Sequence, residues 1–176
     1  MTHPDNKDSD TAASQSGSND SFKTAIDIYY SKIDHEDIVV DDRLKFAGEL
    51  LSAAETFDEA CVAWHDIYEI EKSRPSLLAT LFDEFFVKAG ALMRTQDDLW
   101  SLINLQSHCS GGNYEIKAFE AFLRNTDNMD AILDLYRLVI EENITSDKVI
   151  FLKAKPVLDM FFNRVTELQA LEESEK

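Results

Sequence analysis

Three side chains able to bind a metal ion are spaced four residues apart near the middle of the chain. Cys61, His65 and Glu69 stand at positions i, i+4 and i+8, which places them on one side of a helix. A catalytic zinc site needs three protein ligands around one point, and a structural site needs four. The outer two residues lie about 12 Å apart on a straight helix, so they cannot surround one ion. We therefore predict no metal site here and interpret Cys61 as a core residue beside Trp64.

The other histidines give no stronger indication of catalysis. His108 and Cys109 are adjacent in the chain, but neighbours in sequence rarely meet as base and nucleophile. His35 lies between acidic residues in a polar break that is typical of a solvated turn. The sequence has no nucleophile-elbow motif, no phosphate-binding loop and no glycine-rich dinucleotide-binding turn. We expect a protein that is not an enzyme and that uses no cofactor.

The charge of the chain is strongly negative and unevenly distributed. The formal net charge is −17, and residues 1–71 contain 17 acidic and 5 basic side chains. Such a field repels phosphate groups, so direct binding to nucleic acid is disfavoured, as is binding to anionic lipid. The same field is compatible with a partner protein that carries a basic surface or segment.

Cysteine content and hydropathy restrict the compartment. Two distant cysteines, Cys61 and Cys109, do not make a disulfide framework, which favours a reducing environment. The first ten residues lack the basic and apolar regions of a secretory signal. No apolar run approaches the length that crosses a bilayer. We expect a cytoplasmic protein without membrane insertion.

The spacing of apolar residues predicts helices throughout the folded part of the chain. Residues 1–20 contain almost no apolar side chains and are predicted to be a disordered tail. Residues 21–176 are predicted to form a single helical domain, because their apolar residues recur at helical spacing and no segment of useful length alternates at period two. The fold class is therefore expected to be all-α.

Several helix starts can be located from capping residues. Thr56 followed by Glu59 matches the capping-box pattern and predicts a helix that runs to about residue 71. Pro156 is expected to restart a helix after a short helical segment over residues 146–155. The other predicted N-terminal caps are Asp41, Thr95, and either Thr126 or Asp127.

Three of these helix starts resemble one another, which indicates an internal repeat. Each begins with a threonine after a very short connection and continues with acidic or amide residues. The equivalent apolar positions Ala60 and Leu99 are 39 residues apart, and Leu99 and Ala131 are 32 apart. Periods in this range are typical of stacked helical hairpins.

Residues 41–72 carry small and aromatic side chains where a packed hairpin needs them. Gly48 is midway along the first helix, Phe57 is at the turn, and Ala60 and Trp64 are on the second helix. On these residues the segment resembles a tetratricopeptide repeat, and weaker units continue to about residue 142. The small residues would let the two helices approach closely, and the aromatic ones would fill the gap between hairpins.

The resemblance implies both an architecture and a function. It implies antiparallel hairpins stacked into a right-handed superhelix, with a capping C-terminal helix. It also implies an adaptor or chaperone-like module that binds a peptide or helix of a partner protein. In that family the inner surface is lined by the first helix of each hairpin. The polar residues on that surface of the first unit, and hence the expected partner-binding residues, are Lys45, Glu49 and Ser52.

The high negative charge supports a second hypothesis. The chain could be an acidic inhibitor or antidote protein that blocks a basic partner, such as a nuclease or a nucleic-acid-binding surface. This function predicts a continuous acidic strip on the outer surface of the first hairpin. The strip would consist of Asp58, Glu59, Asp66, Glu69 and Glu71.

Overall fold

The computed structural model of the chain describes residues 16–35, 38–105, 114–145 and 155–174. Within these residues the chain forms eight α-helices and no strand, which confirms the predicted all-α class. The helices are α1 (Ser16–Ile33), α2 (Val40–Ala53), α3 (Phe57–Glu71), α4 (Pro75–Leu92), α5 (Gln96–Leu105), α6 (Tyr114–Asn125), α7 (Met129–Thr145) and α8 (Lys155–Ser174).

Two predicted segments fall partly or wholly outside the described residues. The boundary predicted after residue 20 lies within α1, which begins at Ser16, and residues 1–15 are outside the described part. Most of the short helix predicted over residues 146–155 is also outside it. The restart at Pro156 lies in the first turn of α8, where a proline costs no helical hydrogen bond.

The turns between α2 and α3 and between α4 and α5 share the same hydrogen bonds. The Thr56 hydroxyl accepts from the backbone N–H of Glu59, whose carboxylate accepts from the backbone N–H of Thr56, so the predicted capping box is confirmed. Thr95 and Asp98, each 39 residues further on, repeat both bonds at 2.9 and 3.1 Å. A threonine cap of this kind stabilises a helix by about 1 kcal/mol. At two of the three predicted helix starts, the repeat in the sequence is therefore a repeat of turn geometry.

Two other predicted caps differ from the structure. The N-cap of α2 is Val39, which makes no side-chain cap bond, and Asp41 lies in the first turn instead. There its charge stabilises the positive end of the helix dipole without capping it. At the start of α7 the backbone N–H of Ala131 donates to the side chain of Asn128, rather than to Thr126 or Asp127.

The helices pack in two rows. We call α1, α2, α4, α6 and α8 the front row, because each of them packs against the next one in that order. The helices α3, α5 and α7 form the back row, and each packs against the front-row helix that follows it in the chain. Each front-row helix from α4 onward is therefore held both by its predecessor in the row and by the preceding back-row helix.

Helix α4 lies at the centre of this arrangement and contacts α2, α3, α5 and α6. Its sequence has a wide apolar stripe, which is typical of a helix covered on more than one side, and Leu81, Phe82 and Phe85 of that stripe are fully buried. Trp64 of α3 stacks on Phe85 with ring centroids 5.1 Å apart and meets Phe82 edge-on at 5.2 Å. Aromatic pairs of this geometry add about 0.5–1.5 kcal/mol to the burial of the rings.

Gly48 permits a close approach, but to a different helix from the one predicted. A Cβ atom at Gly48 would lie 3.3 Å from a carboxylate oxygen of Glu84, which belongs to α4 rather than to α3. Gly90 has the same role one helix further along, where a Cβ would lie 3.3 Å from the Cβ of Ala121 in α6. Gly48 and Gly90 thus lie where successive front-row helices approach each other closely. Ala60, by contrast, is fully buried in the core.

Candidate partner-binding face

Three surface grooves follow one another between successive front-row helices. The α1/α2 groove has a volume of about 200 Å³ and lies over Ala25, Tyr29 and Leu50. The α2/α4 groove is larger, at about 440 Å³, and the α4/α6 groove has about 430 Å³. We call the surface that carries these grooves the groove face. It exists because neighbouring front-row helices meet through small or short side chains, such as Gly48 and Gly90.

The three predicted partner-binding residues all lie exposed on α2, on the ridge between two grooves. Glu49 lines the α1/α2 groove and Ser52 lines the α2/α4 groove, while Lys45 lines neither of them. The structure therefore places these side chains on one exposed ridge. Of the three residues, only Glu49 lines the α1/α2 groove and only Ser52 lines the α2/α4 groove, so other side chains form most of both grooves.

The most exposed large apolar side chain of the described residues is Val87 of α4, at 73 %. Val87 lines both the α2/α4 groove and the α4/α6 groove, so it forms an apolar ridge between them. The side chain of Val87 contributes little to the free energy of folding, because most of its apolar surface stays in water. Apolar surface beside concave surface is where a partner gains most from burial.

At least one polar contact joins the helices that flank each groove. The Lys32 ammonium pairs with Glu49 at 2.6 Å across the α1/α2 groove. The Lys88 ammonium donates to the carbonyl of Ser52 at 3.1 Å across the α2/α4 groove. The Asn125 amide donates to the carbonyl of Gly90 at 2.6 Å across the α4/α6 groove. These contacts link α1 to α2, α2 to α4, and α4 to α6 within the front row.

The groove face carries balanced charge in a chain whose net charge is −17. Four basic and four acidic side chains line the three grooves: Lys32, Lys88, Lys117, Arg124, Glu49, Asp83, Glu84 and Glu120. The excess negative charge therefore belongs to other surfaces. Near the α1/α2 groove, the hydrogen bond from Lys32 and the charges of Lys32 and Lys45 lower the pKa of the Glu49 carboxyl.

The acidic strip predicted for an inhibitor is not continuous. Glu71 is 1 % exposed and is enclosed by Arg43 at 2.7 Å and Arg74 at 2.9 Å, so it contributes nothing to the outer surface. The Glu59 carboxylate is used in the capping box, and Glu69 is paired with Lys72 at 2.7 Å. The other members, Asp58 and Asp66, belong to the same helix. Glu71 does not belong to such a strip, because the buried Arg43 and the partly exposed Arg74 hold its carboxylate inside the protein.

The residues considered for chemistry remain apart. Burial, with the charges of Asp58 and Asp98, raises the pKa of the Cys61 thiol to about 11, so this thiol is protonated at neutral pH. The His65 ring is exposed, and its nearest acidic contact is Asp66 at 3.9 Å. Among the described residues no three histidine, cysteine or acidic side chains are grouped so that they could hold a metal ion. His108 and Cys109 lie outside the described residues.

Sequence reasoning missed the residues that form most of the groove face. Val87, Lys88, Lys117 and Asn125 stood out neither by type nor by motif. One local signal existed for Val87, because helical spacing places it on the same side of α4 as Asp83, Glu84 and Lys88, away from the apolar stripe. The identity of the helix across each groove could not be known, since the paired residues are about 35 positions apart.

No helix in the described residues has the length and apolar character needed to cross a membrane. Comparison of the chain with protein-family models, with curated proteins and with solved structures found no match.

Proposed function

We propose that this chain is a non-enzymatic protein-interaction module, an adaptor or chaperone-like protein, that binds a peptide or helix of a partner on its groove face. The proposal includes tetratricopeptide-like stacking of the hairpins α2–α3, α4–α5 and α6–α7 into a right-handed superhelix, with α8 as the cap. The two-row packing and the repeated threonine turns support this stacking. In such a stack the front row lines the surface that meets the partner.

One observation carries the functional proposal: Val87 is 73 % exposed between the two largest grooves described here. A partner side chain in either groove would cover it and remove apolar area from water, which is favourable by about 25 cal/mol per Å². Residues that anchor protein interfaces typically lie at the centre of such a patch, with polar residues around them. The surrounding side chains of Asp83, Lys88 and Lys117 fit that description.

The acidic-inhibitor hypothesis has less support. It depends on a continuous outer strip, and Glu71 lies inside the protein. Its remaining basis is the net charge, which also serves solubility. The two functions predict different salt dependence, because binding through apolar grooves survives high salt and binding through an acidic face does not.

Binding to peptides selected from a displayed library tests the proposal. Peptides are selected on the intact protein, and their Kd is measured by fluorescence anisotropy for the wild type, Val87→Glu and Val62→Glu. Val62 is the matched control, since it is a 48 % exposed valine on α3 in the back row. We expect Val87→Glu to weaken binding about tenfold or more, as for a central interface residue, and Val62→Glu to leave it unchanged.

Two outcomes would count against this function. If no peptide is selected, the groove face is not a peptide-binding surface. If both valine variants bind as the wild type does, the selected peptides bind elsewhere. Circular dichroism of each variant, with its urea midpoint, shows that any loss of binding is not a loss of folding.

A further inference from the structure

The two larger grooves differ in the charge that remains available to a partner. In the α2/α4 groove Asp83 and Glu84 face the single charge of Lys88, which is bonded to a backbone carbonyl. In the α4/α6 groove Lys117 and Arg124 face the single charge of Glu120. One groove therefore has an acidic excess and the next one a basic excess.

The internal pairing of these side chains identifies which charges are left. Arg124 pairs with Glu120 at 2.8 Å, so these two cancel. Among the described residues Glu84 has neither a hydrogen bond nor an ion pair, and no carboxylate lies within ion-pairing distance of Lys117. The Lys117 ammonium lies 5.2 Å over the ring of Tyr114. The Lys117 side chain is exposed, so its charge remains accessible from solvent. Glu84 and Lys117 are thus the two charges that a partner can neutralise, one in each groove.

The spacing of the grooves selects a helical partner. The two grooves lie on either side of α4, and packed helices are about 8–10 Å apart. An α-helix rises about 10.5 Å over seven residues, and its positions i, i+3, i+4 and i+7 share one side. An extended strand covers that distance in about three residues, which would turn the two end side chains to opposite faces.

We propose, on the basis of the function above, that the occupant of the groove face is an amphipathic partner helix that crosses α4. It carries a basic side chain at position i, apolar side chains at i+3 and i+4, and an acidic side chain at i+7. The basic residue meets Glu84 and Asp83, the apolar residues cover Val87, and the acidic residue meets Lys117. The partner helix therefore has balanced charge, although the protein that binds it is strongly acidic.

Three synthetic helical peptides test this charge pattern. All are alanine-rich with leucine at i+3 and i+4, and they differ only at i and i+7, which are Lys and Glu, Lys and Lys, or Glu and Glu. We expect the Lys/Glu peptide to bind the wild type roughly two- to fivefold more tightly than the Lys/Lys peptide at low salt, the range for exposed ion pairs. The overall field of a chain with charge −17 favours the opposite order, so the order is decisive.

Two charge-reversal variants locate the effect. Lys117→Glu should reverse the preference and make Lys/Lys the tightest peptide, because both grooves then carry an acidic excess. Lys23→Glu makes the same change on an exposed residue of α1 that lines none of the three grooves, and it should keep the wild-type order. Tightest binding of Lys/Lys to the wild type, equal binding of all three peptides, or no effect of Lys117→Glu overturns the inference.

A library-selected peptide, measured in parallel, separates this inference from the proposed function. If that peptide binds in a Val87-dependent way and none of the designed peptides does, the charge pattern is wrong and the binding function stands. If neither binds, both proposals are wrong.

Discussion

Helix α2 carries an ion pair on each of two sides, and the two pairs have opposite surroundings. On the groove face Glu49 pairs with Lys32 at 2.6 Å, and their side chains are 48 % and 36 % exposed. On the packed side Arg43 pairs with Glu71 at 2.7 Å, and their side chains are 9 % and 1 % exposed. The bonds have almost the same length, so geometry alone does not separate their roles.

Solvent exposure separates them. An exposed pair gains little, because water and salt screen the attraction and two long side chains lose freedom. Its charges can therefore be exchanged for those of a partner at small cost. A buried pair has already lost its hydration, so removing one member leaves an uncompensated charge in the interior. The packed side of α2 thus holds the fold, and the open side is available for binding.

The largest expected effect is on the packed side. Glu71→Gln keeps the shape of the side chain but leaves Arg43 and Arg74 without their counter-charge. We expect the free energy of unfolding to fall by about 3 kcal/mol or more, read from the urea midpoint. Glu69→Gln, two residues away and exposed with Lys72, is the control and should leave the midpoint where it is. Equal midpoints for the two variants would contradict the distinction between buried and exposed pairs.

The next effect concerns a hydroxyl beside the same buried pair. Tyr29 is 1 % exposed, and its hydroxyl has no hydrogen-bond partner among the described residues. Tyr29→Phe removes this unsatisfied group, so we expect the free energy of unfolding to rise by about 1 kcal/mol. The matched control is Tyr30→Phe, which loses a hydrogen bond to Asp66 and should not stabilise. A loss of stability in Tyr29→Phe would mean that the hydroxyl is satisfied.

The same tyrosine predicts how stability changes at alkaline pH. Burial, and then the negative charge of Glu71, raise the pKa of the Tyr29 hydroxyl above its ordinary value of about 10. The folded state therefore keeps this proton more tightly than the unfolded state does. Its contribution to stability is complete below about pH 10 and is lost as the pH rises further. Urea midpoints measured across this range should fall less steeply for Tyr29→Phe than for the wild type.

A smaller effect is expected at Gly48, on the open side. A methyl group there would lie 3.3 Å from the flexible end of Glu84, which can move aside. Replacing a glycine in a helix interior by alanine stabilises by about 0.5–1 kcal/mol, so Gly48→Ala should raise the urea midpoint. It should also weaken peptide binding, because it narrows the α2/α4 groove.

Gly90→Ala is the matched control for Gly48→Ala. Its new methyl group would meet the Cβ of Ala121, an atom held by its own backbone. We expect no stabilisation from this variant. A lower midpoint for Gly48→Ala than for Gly90→Ala would contradict this and show that the spacing between α2 and α4 is stricter than that between α4 and α6.

The smallest effect is expected at the exposed pair itself. Glu49→Gln removes the charge that Lys32 neutralises, and both side chains stay in water. We expect no measurable change in the urea midpoint near neutral pH, where the lowered pKa keeps the wild-type carboxylate ionised. If Glu49→Gln shifts the urea midpoint as much as Glu71→Gln does, the exposed and the buried ion pair of α2 do not differ in their contribution to stability.

Local features were predictable from the sequence. The Thr56 capping box needs only residues three positions apart, and its equivalent at Thr95 follows from the same spacing. The apolar stripe of α4 also follows from periodicity, and its width indicated more than one neighbour. The exposure of Lys45, Glu49 and Ser52 on one side of α2 follows from their helical spacing, whereas their role in partner binding stays a prediction.

Features that depend on distant residues were not predictable. Glu71 looked like part of an acidic surface, and only the approach of Arg43, 28 positions away, makes it a buried counter-charge. Gly48 was assigned to the contact with α3, whereas the atom nearest to its missing Cβ belongs to Glu84 in α4. In each case the residue type indicated the kind of contact, an ion pair or a close approach. The sequence did not indicate which distant residue makes that contact.

The sequence by itself determined the all-α fold class, the capping turns at Thr56 and Thr95 and the apolar stripe of α4, since these depend on interactions within a few residues. The tertiary structure alone decided which helices are neighbours. That choice buries Glu71, leaves Val87 exposed between two grooves, and balances the charge of the groove face in a chain with net charge −17. The physical reason is that burial and electrostatic environment are properties of packed neighbours, and those neighbours lie tens of residues apart in the chain.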